Sequence, residues 1–286
     1  MTQAILPGGT PWRGLLMPGA RECRLRAGAN GADYRLSLWL PPGTPPVGGW
    51  PVIFVLDANA LFGTFVESIR RSSRRPDATG IGPAVVVGIA ADDDDLYAPA
   101  LRERDFTPAA SGAEGGADAF LAFLVDELAP ALRRELPLDG GRQILFGHSL
   151  AGYFTLHALL ARSGAFHGYA AISPSIWWNE PHLRSRLPVL AGMEARVFVG
   201  VGEWEDELPP WQRGVGGHEK VIETRAQRRM IANARALAGE LGAVLGEDKV
   251  LFRLFPDEDH ASVLMIAVQR VLRFALRPVA ADPESC

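Results

Sequence analysis

The spacing of apolar positions changes along this chain. In Asp33–Leu40, Tyr34, Leu36, Leu38 and Leu40 alternate with polar Arg35 and Ser37, the period of a half-exposed strand. Arg21–Arg26 precedes it across the turn-like Gly28-Ala29-Asn30-Gly31, so the first two strands are expected to be antiparallel. After the Pro/Gly-rich connection Pro41–Trp50 the alternation stops. Val52–Leu56 and Ala84–Ala90 are apolar throughout, as strands covered on both faces are. Helical spacing is expected over Leu61–Arg71, Ala117–Leu136, Val221–Leu241 and Ala261–Leu276. Further strands are expected at Gln143–Phe146, Tyr169–Ile172, Arg196–Val201 and Val250–Phe255. The total is about eight strands alternating with helices, which predicts an α/β protein with a mixed, mostly parallel sheet. Ala91–Gly116 reads as a polar loop rich in Asp, Pro, Gly and Arg; a loop that long is expected to be functional or mobile.

Composition narrows the class. The chain has 286 residues, 48% hydrophobic and 22% charged, enough to build a sizeable core as one α/β domain over 1–286, with 279–286 expected as a mobile tail. A net charge of −4 gives no case for nucleic-acid binding. Two cysteines, Cys23 and Cys286, make no disulfide framework. No apolar run reaches transmembrane length, and Met1–Gly19 lacks the basic-then-apolar pattern of a secretory signal. The expected compartment is therefore cytoplasmic by default, or periplasmic if the chain is a trimmed mature form.

The chemistry begins at Gly147-His148-Ser149-Leu150-Ala151-Gly152. It follows the apolar run Gln143–Phe146 and precedes the apolar helix Tyr153–Leu160. A strand running into G-x-S-x-small and then a helix is a nucleophile elbow, whose sharp turn exposes Oγ and requires small neighbours. A serine hydroxyl needs a base. Of the six histidines, His148 sits in the elbow pointing away from the nucleophile, and His157 lies two helical turns on. His167, His182 and His218 are in polar segments expected to be solvated. His260 follows the last strand, where an α/β-hydrolase carries its base.

The acid should fall between them in the chain. Glu205, three residues past Gly202, is the first choice; Glu203 and Asp206 are rivals, and a Ser–His dyad is the alternative. Asp257 and Asp259 are further candidates to orient His260. Two backbone N–H groups should hold the oxyanion, from Leu150 and from Ala58 in the loop after the third strand.

Four stretches together resemble the esterase-D-like α/β-hydrolases, within them the enterochelin/salmochelin esterase branch. They are Val55–Phe62, Gly147–Gly152, Ser173-Pro174-Ser175-Ile176-Trp177-Trp178-Asn179 and Asp259-His260-Ala261-Ser262. Arg104–Pro108 and Gly202–Glu205 match more weakly, and the order is kept across nearly the whole chain. The departures are Ala58, where the family usually has Gly, and Ala151. A Cβ at 58 would narrow the oxyanion hole or demand a negative φ.

The resemblance implies the α/β-hydrolase fold and hydrolysis of an ester, in that branch the serine trilactone of a catecholate siderophore or its iron complex. Trp177 and Trp178 are then candidates to meet aromatic rings, and Arg102 and Arg104 to pair with an anionic substrate. Four consecutive carboxylates, Asp92–Asp95, lack the spacing of a calcium loop and are expected to be a solvated turn. No metal or organic cofactor, nucleic acid or membrane partner is expected. The alternatives are a general carboxylesterase or thioesterase for small acyl esters, and an inactive binding protein on the same fold.

Overall fold

The computed structural model describes residues 17–109 and 115–276. The expected tail, Cys286 and part of the expected long loop lie outside the described residues. Eight strands form one sheet: β1 (Ala20–Arg26), β2 (Asp33–Trp39), β3 (Trp50–Leu56), β4 (Val85–Ala91), β5 (Leu138–His148), β6 (Gly168–Ile172), β7 (Arg196–Gly202) and β8 (Val250–Phe255). Their spatial order is β1-β2-β4-β3-β5-β6-β7-β8. β1, β2 and β4 pair antiparallel, and every pair from β4 to β8 is parallel. This is an α/β-hydrolase fold.

The α-helices are α1 (Ala58–Ser72), α2 (Pro76–Thr79), α3 (Pro99–Phe106), α4 (Ala117–Ala122), α5 (Ala129–Glu135), α6 (Leu150–Ala161), α7 (Glu180–Arg184), α8 (Glu219–Arg228), α9 (Met230–Leu245) and α10 (Val263–Leu276). The sheet separates two cores. Val52, Phe54 and Leu56 of β3 pack with Phe120, Leu156 and Leu237 on the side of α4, α6 and α9. Ile53 and Val55 pack with Phe65, Ile69 and Val268 on the side of α1 and α10. β3 is apolar without alternation because both of its faces are covered.

Three expectations change. The segment Ala117–Leu136 is not one regular α-helix: a π-helical turn, Phe123–Leu128, separates α4 from α5. Pro130 sits at the start of α5, has no N–H to donate and crowds the preceding turn, which widens in response. The stretch 91–116 is not all loop, since α3 forms within it with Pro99 in its first turn. The single helix expected over Val221–Leu241 is two, because Arg229 adopts φ 46, ψ 49 between α8 and α9.

Candidate active site

Parallel strands gather their carboxyl ends on one side of a sheet, and ligands bind there in open α/β folds. The ends of β3, β5, β7 and β8 each deliver part of this site. β5 ends at His148, and Ser149 follows with φ 59, ψ −117. A non-glycine residue in that region is strained by about 1–3 kcal/mol and persists because its surroundings fix it. Ser149 N–H donates to Ile172 O at 2.9 Å, and the Ser149 carbonyl accepts from Ser175 N at 3.0 Å. Close packing explains the flanking glycines. A Cβ at Gly147 would stand 2.1 Å from Ala151 O, and one at Gly152 would stand 3.0 Å from Ile172 O. Ala151 is fully buried, so its single methyl fits where the usual glycine is absent.

His260 comes from the loop after β8. Its Nδ1 lies 2.8 Å from Glu205 Oε2 and its Nε2 lies 3.1 Å from Ser149 Oγ. A carboxylate can only accept, so the ring proton sits on Nδ1 and Nε2 is left to accept from the serine. Glu205 is buried just past the end of β7. Its Oε1 accepts from Ser173 Oγ at 2.5 Å and from Gly202 N at 2.7 Å. The loops carrying Glu205 and His260 touch directly: Trp204 N donates to Glu258 O at 2.9 Å. Gly202 allows this approach, because a Cβ there would lie 2.5 Å from Glu258 O.

The rival acids are engaged elsewhere. Glu203 accepts from Asp257 N at 2.9 Å, and Asp206 accepts from Ile231 N at 3.2 Å in the first turn of α9. Asp259 accepts from Ala261 N and Ser262 N, which shapes the turn after His260, and these bonds hold its carboxyl below the usual range against the opposing effect of burial.

The two predicted oxyanion donors open the first turns of α6 and α1. Leu150 is the first residue of α6. Ala58 is the first residue of α1, and Asp57 before it carries the positive φ of 53. The positive φ is thus displaced onto Asp57. The Ala58 methyl points at β4, where Gly88 makes room: a Cβ on Gly88 would lie 2.6 Å from the Ala58 Cβ.

His148 is turned toward the His260 loop. Its Nε2–H donates to the His260 carbonyl at 2.9 Å and its ring lies 4.7 Å from that of His260. Burial, then His260, push its pKa down to about 3, so it stays neutral. His157 is buried, with Nε2 3.0 Å from Asp118 and Nδ1 3.0 Å from His182. His182 is therefore paired, contrary to the expectation that it is solvated.

Ser149 and His260 open onto a cleft of about 910 Å³. Trp177 and Trp178 both line it, Trp177 partly exposed and Trp178 edge-on to Tyr153 at 5.3 Å. Arg102 lines it too, but Arg104 does not. The Arg104 guanidinium is held by Asp105, at 2.6 and 2.9 Å, and by the buried Tyr34 hydroxyl at 3.3 Å. The expected substrate pairing of Arg104 is corrected accordingly. The Asp92–Asp95 turn is tied down by Arg24, Arg35 and Asn59. Among the described residues no group of three or more His, Cys, Asp or Glu is arranged to hold a metal ion, and no helix is long and apolar enough to cross a membrane.

Sequence reading missed one wall of the cleft. Lys220, Arg225 and Arg228 of α8 all line it. Arg228 stacks on Trp177 at 4.4 Å, and Arg225 donates to the Glu207 carbonyl. The i, i+4, i+8 spacing of Lys220, Thr224 and Arg228 was a visible stripe, but nothing local says what a stripe faces. Ser175 was also missed; its Oγ is 3.4 Å from Ser149 Oγ.

Comparisons with known proteins give the family and the fold. The family model named Esterase matches residues 28–243. The ferri-bacillibactin esterase BesA of Bacillus subtilis (strain 168) is 37% identical, over 95% of this chain and 94% of that protein. The siderophore triacetylfusarinine C esterase of Aspergillus fumigatus is 32% identical, over 79% of this chain and 81% of its own. The solved siderophore hydrolase EstB of Aspergillus nidulans superposes with a TM-score of 0.81 at 25% identity, covering 94% of this chain and all of that one (100%).

Proposed function

The chain belongs to the esterase family, and on that premise we propose that it is a serine esterase cleaving the ester bonds of a siderophore, a catecholate trilactone or its ferric complex. The observation that carries this reading is the hydrogen-bonded line Ser149–His260–Glu205 opening onto a cleft walled by two tryptophans and the cations of α8. Flat aromatic faces and arginine suit catechol rings and their anionic oxygens. The Bacillus and Aspergillus relatives, named for siderophore esters, support the same substrate class.

In this reading Ser149 Oγ attacks the ester carbonyl while His260 Nε2 takes its proton. Glu205 accepts the Nδ1–H and stabilises the imidazolium. The carbonyl oxygen becomes an oxyanion, held by Leu150 N–H and Ala58 N–H. Collapse expels the alcohol, which leaves with the proton from His260, and an acyl-enzyme remains on Ser149. Water, deprotonated by His260, attacks the acyl carbonyl; collapse releases the acid and restores the serine.

The test is initial hydrolysis rates on a tri-catecholate trilactone, apo and ferric, beside p-nitrophenyl butyrate, with Ser149→Ala as control. A trilactone preference of about a hundredfold in kcat/KM, roughly 2.7 kcal/mol of transition-state binding, lost in Ser149→Ala, is expected. Fast butyrate cleavage with an inert trilactone would leave a general esterase. Failure of a fluorophosphonate to label Ser149 would leave a binding protein.

A further inference from the structure

The segment after β6 reaches both ends of the hydrogen-bonded line at once. Ser173 and Ser175 flank Pro174, whose ring fixes one backbone angle between them. Ser173 holds φ 47, donates its N–H to the Gly200 carbonyl at 2.7 Å and donates its hydroxyl to Glu205. Ser175 is attached to the nucleophile twice: its N–H donates to the Ser149 carbonyl at 3.0 Å, and its Oγ lies 3.4 Å from Ser149 Oγ. The protons fix the direction of that second contact. His260 Nδ1 carries the ring proton against Glu205, so Nε2 has only a lone pair to offer and the single Ser149 proton goes to it. Ser149 Oγ therefore accepts from Ser175. Ser175 is 4% exposed and lines the cleft, and among the described residues its hydroxyl makes no other hydrogen bond. The contact is long, since hydroxyl oxygens in an ordinary bond lie about 2.7–2.8 Å apart. A charged oxygen draws a hydroxyl donor in to about 2.5–2.7 Å and is bound roughly twice as strongly. The Ser175 hydroxyl is thus placed to bind more tightly when Ser149 Oγ gains charge.

We propose that Ser175 is a catalytic residue: its hydroxyl donates to Ser149 Oγ while that atom gives up its proton, and again while it leaves the acyl carbon. In the attack the Ser149 proton passes to His260 Nε2 as the bond from Oγ to carbon forms. In the last step that bond breaks, its electron pair returns to Oγ and His260 hands the proton back. Oγ carries partial negative charge in both transition states. The oxyanion donors, Leu150 N–H and Ala58 N–H, serve the carbonyl oxygen and leave Oγ to Ser175. The sheet order β3-β5-β6 sets the Ala58 loop on one side of the elbow and the Ser175 loop on the other. A weak bond in the resting state suits this role, because only an interaction that strengthens in the transition state accelerates the reaction.

The inference rests on the serine-esterase reading but not on the siderophore. Ser175→Ala and Ser175→Gly keep the backbone bond to the elbow and remove the hydroxyl, and melting curves identify a variant that has lost its fold. The folded variant is expected to lower kcat for p-nitrophenyl butyrate by at least about fivefold, with KM changed less than about twofold. A smaller loss of kcat overturns the proposal. A second measurement separates donation to the nucleophile from support of the elbow, and it needs no turnover. In Ser149→Cys the nucleophile is a thiol, whose ionisation is read from the pH dependence of its alkylation by iodoacetamide, followed on the peptide that carries it. A hydroxyl donating to the charged sulfur lowers the thiol pKa, so adding Ser175→Ala or Ser175→Gly should raise it by about 0.5 or more. An unchanged thiol pKa would mean that Ser175 only supports the elbow, and overturns the assignment. Wild type inert on butyrate and unlabelled by a fluorophosphonate would sink the esterase reading, and the thiol titration would still decide whether Ser175 donates.

Discussion

The elbow and helix α8 face the same cleft but are built in opposite ways. The elbow hangs from β5, whose last six residues are all buried, and its neighbours admit no extra atom at Gly147. Helix α8 buries no residue at all and ends at the left-handed Arg229. The buried region fixes distances to a few tenths of an ångström, as bond-making requires. The exposed region supplies charge and surface, which tolerate looser placement. Chemistry and selection therefore occupy separate physical regimes, and substitutions should divide along that line: the first class lowers kcat, the second raises KM.

The largest effect tests the buried side. Ser149→Ala should lower turnover by about 10⁴-fold or more while leaving the melting temperature near wild type, measured by butyrate hydrolysis and calorimetry. Glu205→Gln follows. Glutamine still accepts from Ser173 and Gly202 but presents an amide N–H to His260. The ring proton then moves to Nε2 and faces Ser149, so kcat should fall on the order of 10³-fold with a small change in KM.

A third prediction concerns stability. Burial, partly offset by Arg102, pushes the Asp57 pKa from the ordinary 3.8 up to about 6. Between those values the folded protein holds a proton that the unfolded chain has released. Asp57 thus favours folding below pH ~4 and withdraws that support as pH rises towards 6. The full swing is roughly 3 kcal/mol. Chemical denaturation from pH 4 to 7 should give a stability difference between wild type and Asp57→Asn that grows across this window in the variant's favour; a flat difference would mean that Asp57 is not buried as described.

The smallest effect tests the exposed side. Lys220→Ala and Arg228→Ala should each raise KM for a ferric catecholate about tenfold or less, fading as salt is added, with kcat falling less than KM rises. A kcat loss as large as that of Glu205→Gln would erase the distinction between the two regions.

The same division explains what could be read from the chain. The eight strands and the Ser149 elbow were legible because their signals are local: unbroken apolar runs and small residues around a serine. His260 was legible from its position after the last strand. The break at Arg229 was not, because no glycine or proline marks it and the left-handed turn is imposed on an arginine. The engagement of Arg104 was hidden because Tyr34, which shares it with Asp105, lies 70 residues away in sequence. The α8 wall was hidden because an exposed stripe carries no mark of its neighbour. The Ala58 departure could be judged only with Gly88 in view, on a neighbouring strand.

One further consequence concerns labelling. The whole chain contains two lysines, Lys220 and Lys249. Lys249 is tied to Glu194 at 3.0 Å and to the Met193 carbonyl at 3.2 Å, whereas Lys220 is exposed at the mouth of the cleft. Between the two lysines, amine-directed reagents should therefore favour Lys220, which lines the same cleft as Ser149. A fluorophore attached in that way would sit within reach of an iron-bearing ligand and report its arrival by quenching, without an engineered cysteine.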